Sequence, residues 1–140
     1  MRRYMIDAHI FLFLLWETGR FTKEVKEILG AYDNLIYISS EALREIIHLR
    51  QCGKIGGPKQ MFPEGSIVDF INKDAKVEIK PIKQEHLKTL EELPMLSDHR
   101  DPFDRLIIAH AITERIPLIS SDSAFPRYEK YGLDLIVNDY

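Results

Sequence analysis

Short apolar runs alternate with segments of helical periodicity along the whole chain. Runs rich in β-branched and aromatic residues are typical of buried strands. We predict strands at residues 4–6, 35–38, 77–82, 117–121 and 135–137. Pro81 cannot donate a backbone hydrogen bond, so the third strand is expected at an edge of the sheet.

Between these strands the apolar residues recur at helical spacing. We predict helices at residues 10–16, 22–29, 41–51, 66–73, 84–93 and 101–114. Thr22, Ser39 with Ser40, and Asp101 are suitable N-cap residues. Pro102 follows Asp101 at the position where a helix tolerates proline best. The helix at 10–16 is apolar on all sides, which indicates burial against a sheet.

Strands that alternate with helices predict a mainly parallel sheet of about five strands, covered on both faces. We therefore expect a three-layer α/β/α architecture in a single domain over residues 1–140. The glycines and prolines between Gly56 and Gly65 predict a loop that is too short to separate two domains.

Composition narrows the class of protein. The 140 residues are 45% hydrophobic, which suffices for one core. The net charge of −3 does not favour nucleic-acid binding unless cations neutralise an acidic site. Asp7 and His9 interrupt the apolar start of the chain, so we expect neither a signal peptide nor a membrane span. Cys52 is the single cysteine, which fits a reducing compartment, and we expect a cytoplasmic location.

Four acidic residues stand at the ends of predicted elements. Asp7 and Asp122 each close a strand, Glu45 lies one turn into a helix, and Asp104 lies in the first turn of another. Sites in open α/β sheets form at the carboxyl ends of the strands. These side chains are therefore expected to meet at one edge of the sheet.

Clustered carboxylates repel each other unless protons or a cation compensate them. Their hard oxygen ligands suit Mg²⁺ or Mn²⁺, and no cluster of His and Cys has zinc spacing. Two such ions about 3.5–4 Å apart can activate water and hold the leaving oxygen of a phosphodiester. The pattern thus favours metal-assisted phosphodiester hydrolysis.

Structural roles compete with this interpretation at most of the acids. Asp101 is interpreted as an N-cap only, and Asp104 could be a favourable charge at a helix N-terminus. The helix of Asp104 is, however, apolar nearly all round, where an unpaired carboxylate is costly. Glu45 shares a helix face with Glu41, and Asp122 could be a turn former between two serines.

Cationic residues near the predicted site could hold the phosphate group of a substrate. The candidates are Arg44, Arg100 and Arg105, with Lys54 and Lys59 in the nearby loop. Ordinary ion pairs are the alternative, since Arg44 can reach Glu41 or Glu45.

The histidines give weaker signals. His99 could touch substrate because it precedes Asp101 in the loop. His110 is interpreted as a packed core residue, since it lies on an apolar helix face.

Four segments resemble the motifs of PIN-domain toxins of the VapC type. They are IDAHIFL at 6–12, ISSEALREI at 38–46, HRDPFDRLIIAHA at 99–111 and PLISSDSAF at 117–125. The third is the most specific, and the match spans nearly the whole chain in the right order. Arg44 stands where this subgroup often has an apolar or aromatic residue, which would place a cation close to the metal ions.

The resemblance implies a PIN fold and Mg²⁺- or Mn²⁺-dependent cleavage of RNA by metal-activated water. It assigns Asp7, Glu45, Asp104 and Asp122 to the acidic quartet of the family. It also implies a homodimer and a separate antitoxin protein as partners, as in type II toxin–antitoxin systems.

Two other classes compete with this reading. One is a non-catalytic RNA- or protein-binding module on the same scaffold. The other is an acyl-phosphate enzyme with Asp7 as nucleophile, which is disfavoured because Asp7-Ala8-His9 lacks a second aspartate.

Overall fold

The computed structural model describes residues 1–56, 65–73 and 76–139. The strands are β1 (Arg3–Ile6), β2 (Leu35–Ser39), β3 (Val77–Lys80), β4 (Leu118–Ser120) and β5 (Leu135–Val137). The helices are α1 (Ala8–Trp16), α2 (Lys23–Gly30), α3 (Ser40–Gln51), α4 (Ile67–Lys73), α5 (Gln84–Glu92) and α6 (Pro102–Glu114). Short 3-10 helices lie at Thr18–Arg20 and Phe125–Tyr131. Residues 57–64 of the predicted loop, with Lys59, lie outside the described residues.

The five strands form one parallel sheet in the order β3-β2-β1-β4-β5. Helices cover both faces, so the predicted three-layer α/β/α class is confirmed. β3 lies at an edge of the sheet, as predicted, but it ends at Lys80, so Pro81 follows the strand and is not part of it. The central strands are almost wholly buried, which explains why they read as continuous apolar runs.

The order of the strands creates a reversal point beside β1. The chain runs outward from β1 to β2 and β3, and then crosses back to place β4 on the other side of β1. The carboxyl ends of β1 and β4 therefore adjoin where the direction of winding changes, which is where open α/β sheets bind ligands. The backbone N–H of Asp7 extends this pairing by donating to the carbonyl of Ile119 over 3.3 Å.

Side-chain caps fix the N-termini of the helices that lie near the carboxyl ends of the strands. The hydroxyl of Ser39 accepts from the backbone N–H of Glu41, and Asp101 caps α6 by accepting from the N–H groups of Phe103 and Asp104. These bonds satisfy N–H groups that the first turn of a helix leaves without partners. The predicted starts of α3 and α6 are thus confirmed to within a residue.

Within the described residues, none of the helices is both long enough and apolar enough to cross a membrane.

Candidate metal centre

Asp7 is held at the junction of β1 and α1. Its carboxylate caps α1 by accepting from the N–H of Ile10 over 2.9 Å, and it also accepts from the hydroxyl of Ser120. Burial raises the pKa of Asp7 above its ordinary value, against the lowering effect of these two hydrogen bonds. The charge of Asp122 raises the pKa further, so the two strand-end acids act on each other.

Asp122 lies just beyond β4 at the exposed rim of the edge. Its backbone N–H donates to the hydroxyl oxygen of Ser120 over 3.0 Å, and its carboxylate accepts from the N–H of Ala124 over 2.8 Å. The second bond is the turn that its position between two serines suggested. Ser120 therefore contacts both Asp7 and Asp122, which ties the ends of β1 and β4 together.

Glu45 has a strongly raised pKa. It lies on α3 with only 9% of its surface exposed. Burial is the main cause that raises its pKa to about 8, and Asp104, Asp101, Asp7 and Glu41 add like-charge repulsion. A carboxyl group with this pKa is mostly protonated at neutral pH when no cation is present.

Asp104 lies between the other acids. Its pKa is raised to about 6, first by burial and then by the charges of Asp101 and Asp122. A hydrogen bond from His99 works in the opposite direction. The predicted helix N-terminal position of Asp104 is correct, but its surroundings are those of a shared acidic site.

Two groups of ligand atoms meet at Asp104. In one, donor atoms of Glu45, Asp101 and Asp104 all lie within 4.8 Å of one another. In the other, the same holds for His99, Asp104 and Asp122. The charge of Asp7 raises the pKa of Glu45, and the charge of Asp122 raises the pKa of Asp7, so the structure brings all four predicted acids to one edge of the sheet.

The residues present fit a divalent cation. Their donor atoms are mainly carboxylate oxygens, which are the ligands that Mg²⁺ and Mn²⁺ prefer. The raised pKa values of Glu45 and Asp104 show that their charged forms are destabilised within the protein alone. A bound cation relieves this cost because it stabilises the charged carboxylates.

Asp101 and His99 lie within the candidate centre, although lesser roles were predicted for both. Asp101 was interpreted as a helix cap only, and it does cap α6, but its carboxylate also adjoins Glu45 and Asp104. His99 was expected at most to touch substrate, and it instead bonds to Asp104. The clustering of His99, Asp101 and Asp104 at one helix N-terminus is the sequence signal that could have identified both.

The candidate arginines have different surroundings. Arg44 makes a bidentate ion pair with Glu41 at 2.7 and 3.1 Å, and its guanidinium lies 4.5 Å above the ring of Phe103. Arg100 is exposed in the loop before α6.

Arg105 is buried beneath the surface of α6. It donates to the carbonyls of Pro94 and Leu93, at 2.9 and 3.2 Å. These bonds give Arg105 a structural role at the end of α5, whereas Arg44 and Arg100 retain exposed guanidinium groups.

A second cluster of possible ligands, away from this edge, is satisfied without a metal ion. It contains Glu85, His86 and Glu114. The Nδ1 atom of His86 accepts from the backbone N–H of Lys83, so the proton of the neutral ring is on Nε2. That proton is donated to Glu114 over 2.9 Å, which leaves no nitrogen lone pair for a cation.

Comparison with known proteins adds a family and several structural neighbours. The family model of the PIN domain matches residues 4–131. The chain resembles a chain of VapBC2 from Rickettsia felis, whose structure contains a DNA fragment from the promoter. The two chains are 22% identical with a TM-score of 0.69, and the match covers 98% of this chain and 99% of that one. Similar chains occur in DNA-bound VapBC from Salmonella typhimurium (18% identity, TM-score 0.63) and in VapBC-5 from Mycobacterium tuberculosis (15% identity, TM-score 0.58), each covering 98% of both chains. No match was found among curated proteins.

Proposed function

The chain belongs to the PIN domain family, and from this premise we propose that it is a metal-dependent endoribonuclease and the toxin of a type II toxin–antitoxin system. The observation that carries the enzymatic part is the position of Asp104, whose carboxylate is shared by two groups of ligand atoms at the carboxyl edge of the sheet. A binding module would have no need for several carboxylates whose charged forms are destabilised by burial and, to a smaller extent, by one another.

Each acid has a role in this proposal. Asp7, Glu45 and Asp104 would hold Mg²⁺ or Mn²⁺, and Asp122 would complete the site or position a second ion. When bound, such a cation supplies water activation and neutralises charge on the phosphate. The hydrogen bonds of Ser120 and Ile10 to Asp7 orient its carboxylate beforehand, so that little rearrangement is needed.

The RNA backbone would be held by cationic side chains at the rim of the centre. Arg44 has an exposed guanidinium fixed by Glu41 and Phe103, and Arg100 is exposed beside Asp101. Arginine suits this role because its planar donors match a phosphate group. These arginines would place positive charge at the rim of the centre, although the net charge of −3 of the whole chain does not by itself favour a polyanionic substrate.

The proposed partners are a cognate antitoxin protein and a second copy of the chain. The structural neighbours are chains of VapBC toxin–antitoxin complexes, and they match over nearly the whole chain. The motif resemblance points to the same class. A homodimer and a cytoplasmic location remain predictions from the sequence.

Cleavage of total RNA by the purified protein tests this function. We expect discrete fragments with Mg²⁺ or Mn²⁺ and none with EDTA, because the carboxylates need a cation to act on phosphate. Asp7→Asn should abolish the fragments. Asp33→Asn is the matched control, because Asp33 is exposed and precedes β2. It therefore lies at the amino end of that strand, away from the acids at the carboxyl ends.

Two results would contradict the proposal in different ways. Folded protein, free of antitoxin, that cleaves no RNA with either metal would favour the non-catalytic binding module. Fragments that persist in Asp7→Asn would show that another site, or a contaminating nuclease, produces them.

A further inference from the structure

His99 connects the acidic centre to the buried core. Its side chain is 8% exposed, and its Nε2 atom lies 3.1 Å from Oδ2 of Asp104. On the other side of the ring, Nδ1 lies 2.7 Å from the hydroxyl of Tyr128. Tyr128 is fully buried and belongs to the 3-10 helix that follows Asp122 along the chain.

The hydroxyl of Tyr128 determines which ring nitrogen of His99 carries the proton. Among the residues that the structure describes, Nδ1 of His99 is the hydrogen-bond partner of this hydroxyl. A buried hydroxyl hydrogen needs an acceptor, so Tyr128 donates to Nδ1. The proton of the neutral imidazole is then on Nε2, where it is donated to Asp104. The opposite tautomer would leave the tyrosine hydrogen without an acceptor and set a nitrogen lone pair against a carboxylate oxygen.

The aromatic packing keeps the ring in this orientation. The ring of His99 meets Phe125 and Tyr128 edge-on, with centroids 6.2 and 5.4 Å away. Both aromatic residues are fully buried in the 3-10 helix. The 3-10 helix after Asp122 therefore packs against the histidine that contacts Asp104. It connects the position of Asp104 to that of Asp122 through this packing.

Resting on the proposed metal centre, we propose that His99 and Tyr128 form a positioning pair for Asp104. His99 donates a proton to one carboxylate oxygen and fixes its direction, while Tyr128 fixes the tautomer that can donate. His99 is not a ligand in this arrangement, although one of its ring nitrogens lies within 4.8 Å of a carboxylate oxygen of Asp104 and of Asp122. Residues that orient metal ligands in this way commonly change metal affinity by about 10–100-fold when they are replaced.

Mn²⁺ binding measured by the electron paramagnetic resonance signal of the free ion, without RNA, tests the pair. We expect His99→Leu to weaken Mn²⁺ binding by about 10-fold or more, because Asp104 loses its donor. His99→Gln should recover much of the affinity, because its amide can donate to the same oxygen. Tyr128→Phe, which removes only the hydroxyl, should weaken binding by a smaller factor. Tyr131→Phe is the matched control on the same 3-10 helix.

The variants separate positioning from the other roles of His99. Unchanged Mn²⁺ affinity in folded His99→Leu and Tyr128→Phe would overturn the proposal and leave a packing role. Equal loss in His99→Leu and His99→Gln, with Tyr128→Phe like wild type, would make His99 a direct ligand and would also overturn it. Wild-type protein that binds Mn²⁺ but cleaves no RNA would contradict the proposed nuclease function and leave the positioning pair standing. Wild-type protein that binds no Mn²⁺ would overturn both the nuclease function and the positioning pair.

Discussion

Asp104→Asn is expected to lower metal-dependent RNA cleavage by at least about 100-fold, equivalent to a barrier higher by about 3 kcal/mol. Asp104 is the acid common to both groups of ligand atoms, so its loss removes a charge from each of them at once. The amide has nearly the same shape but binds cations far more weakly than a carboxylate. Initial rates over a range of Mn²⁺ concentrations measure the effect.

The same substitution should leave the fold intact. The cap of α6 is Asp101, which bonds to backbone N–H groups and not to the side chain of Asp104. Circular dichroism and thermal melting check this, and Asp33→Asn again serves as the matched control. Full cleavage activity in folded Asp104→Asn would remove Asp104 from the metal centre.

Glu45→Gln is expected to stabilise the metal-free protein at alkaline pH by about 1–3 kcal/mol, or roughly 3–10 °C in melting temperature. The folded protein raises the pKa of Glu45 to about 8, from an ordinary value of 4.5. Between these values the native state binds more protons than the unfolded state, so stability falls as the pH rises. The contribution is fully present below about pH 4.5 and is lost through pH 8. Glutamine does not titrate and removes this part of the loss.

Melting curves in EDTA from pH 5 to pH 9 measure this difference. Wild type should lose stability more steeply than Glu45→Gln as the pH rises, although Asp104, with a pKa of about 6, adds a loss at lower pH in both proteins. Glu24→Gln, an exposed change of the same kind on α2, should follow wild type. Parallel curves for wild type and Glu45→Gln would show that Glu45 is not destabilised by its surroundings.

Most of the fold could be predicted from local pattern because each element agrees with its own sequence. The strands are apolar runs, and Ser39, Thr22 and Asp101 cap the helices that they were expected to cap. The 3-10 helix at Phe125–Tyr131 could not be predicted, because it lacks helical periodicity and depends on burial of Phe125 and Tyr128 in the core.

For the candidate site, the sequence predicts only that the acidic residues at the ends of strands lie close together. The carboxyl ends of parallel strands must share one edge, so Asp7 and Asp122 could be placed there from the sequence. The orientation of the His99 ring toward Asp104 could not be predicted, because it depends on Tyr128, which lies 29 residues away in the chain. Likewise, nothing local distinguishes Arg105, which bonds to two buried carbonyls, from Arg44, which faces solvent.

Calorimetric titration of the protein with Mn²⁺ at pH 7, in two buffers of different ionisation enthalpy, tests the acidic centre most directly. Glu45, with a pKa of about 8, is mostly protonated at this pH and must lose its proton to bind a cation. We therefore expect saturable binding with release of about one proton per chain, because metal ligands must be deprotonated. Absence of binding, or binding without proton release, would contradict a metal centre built on Glu45 and Asp104.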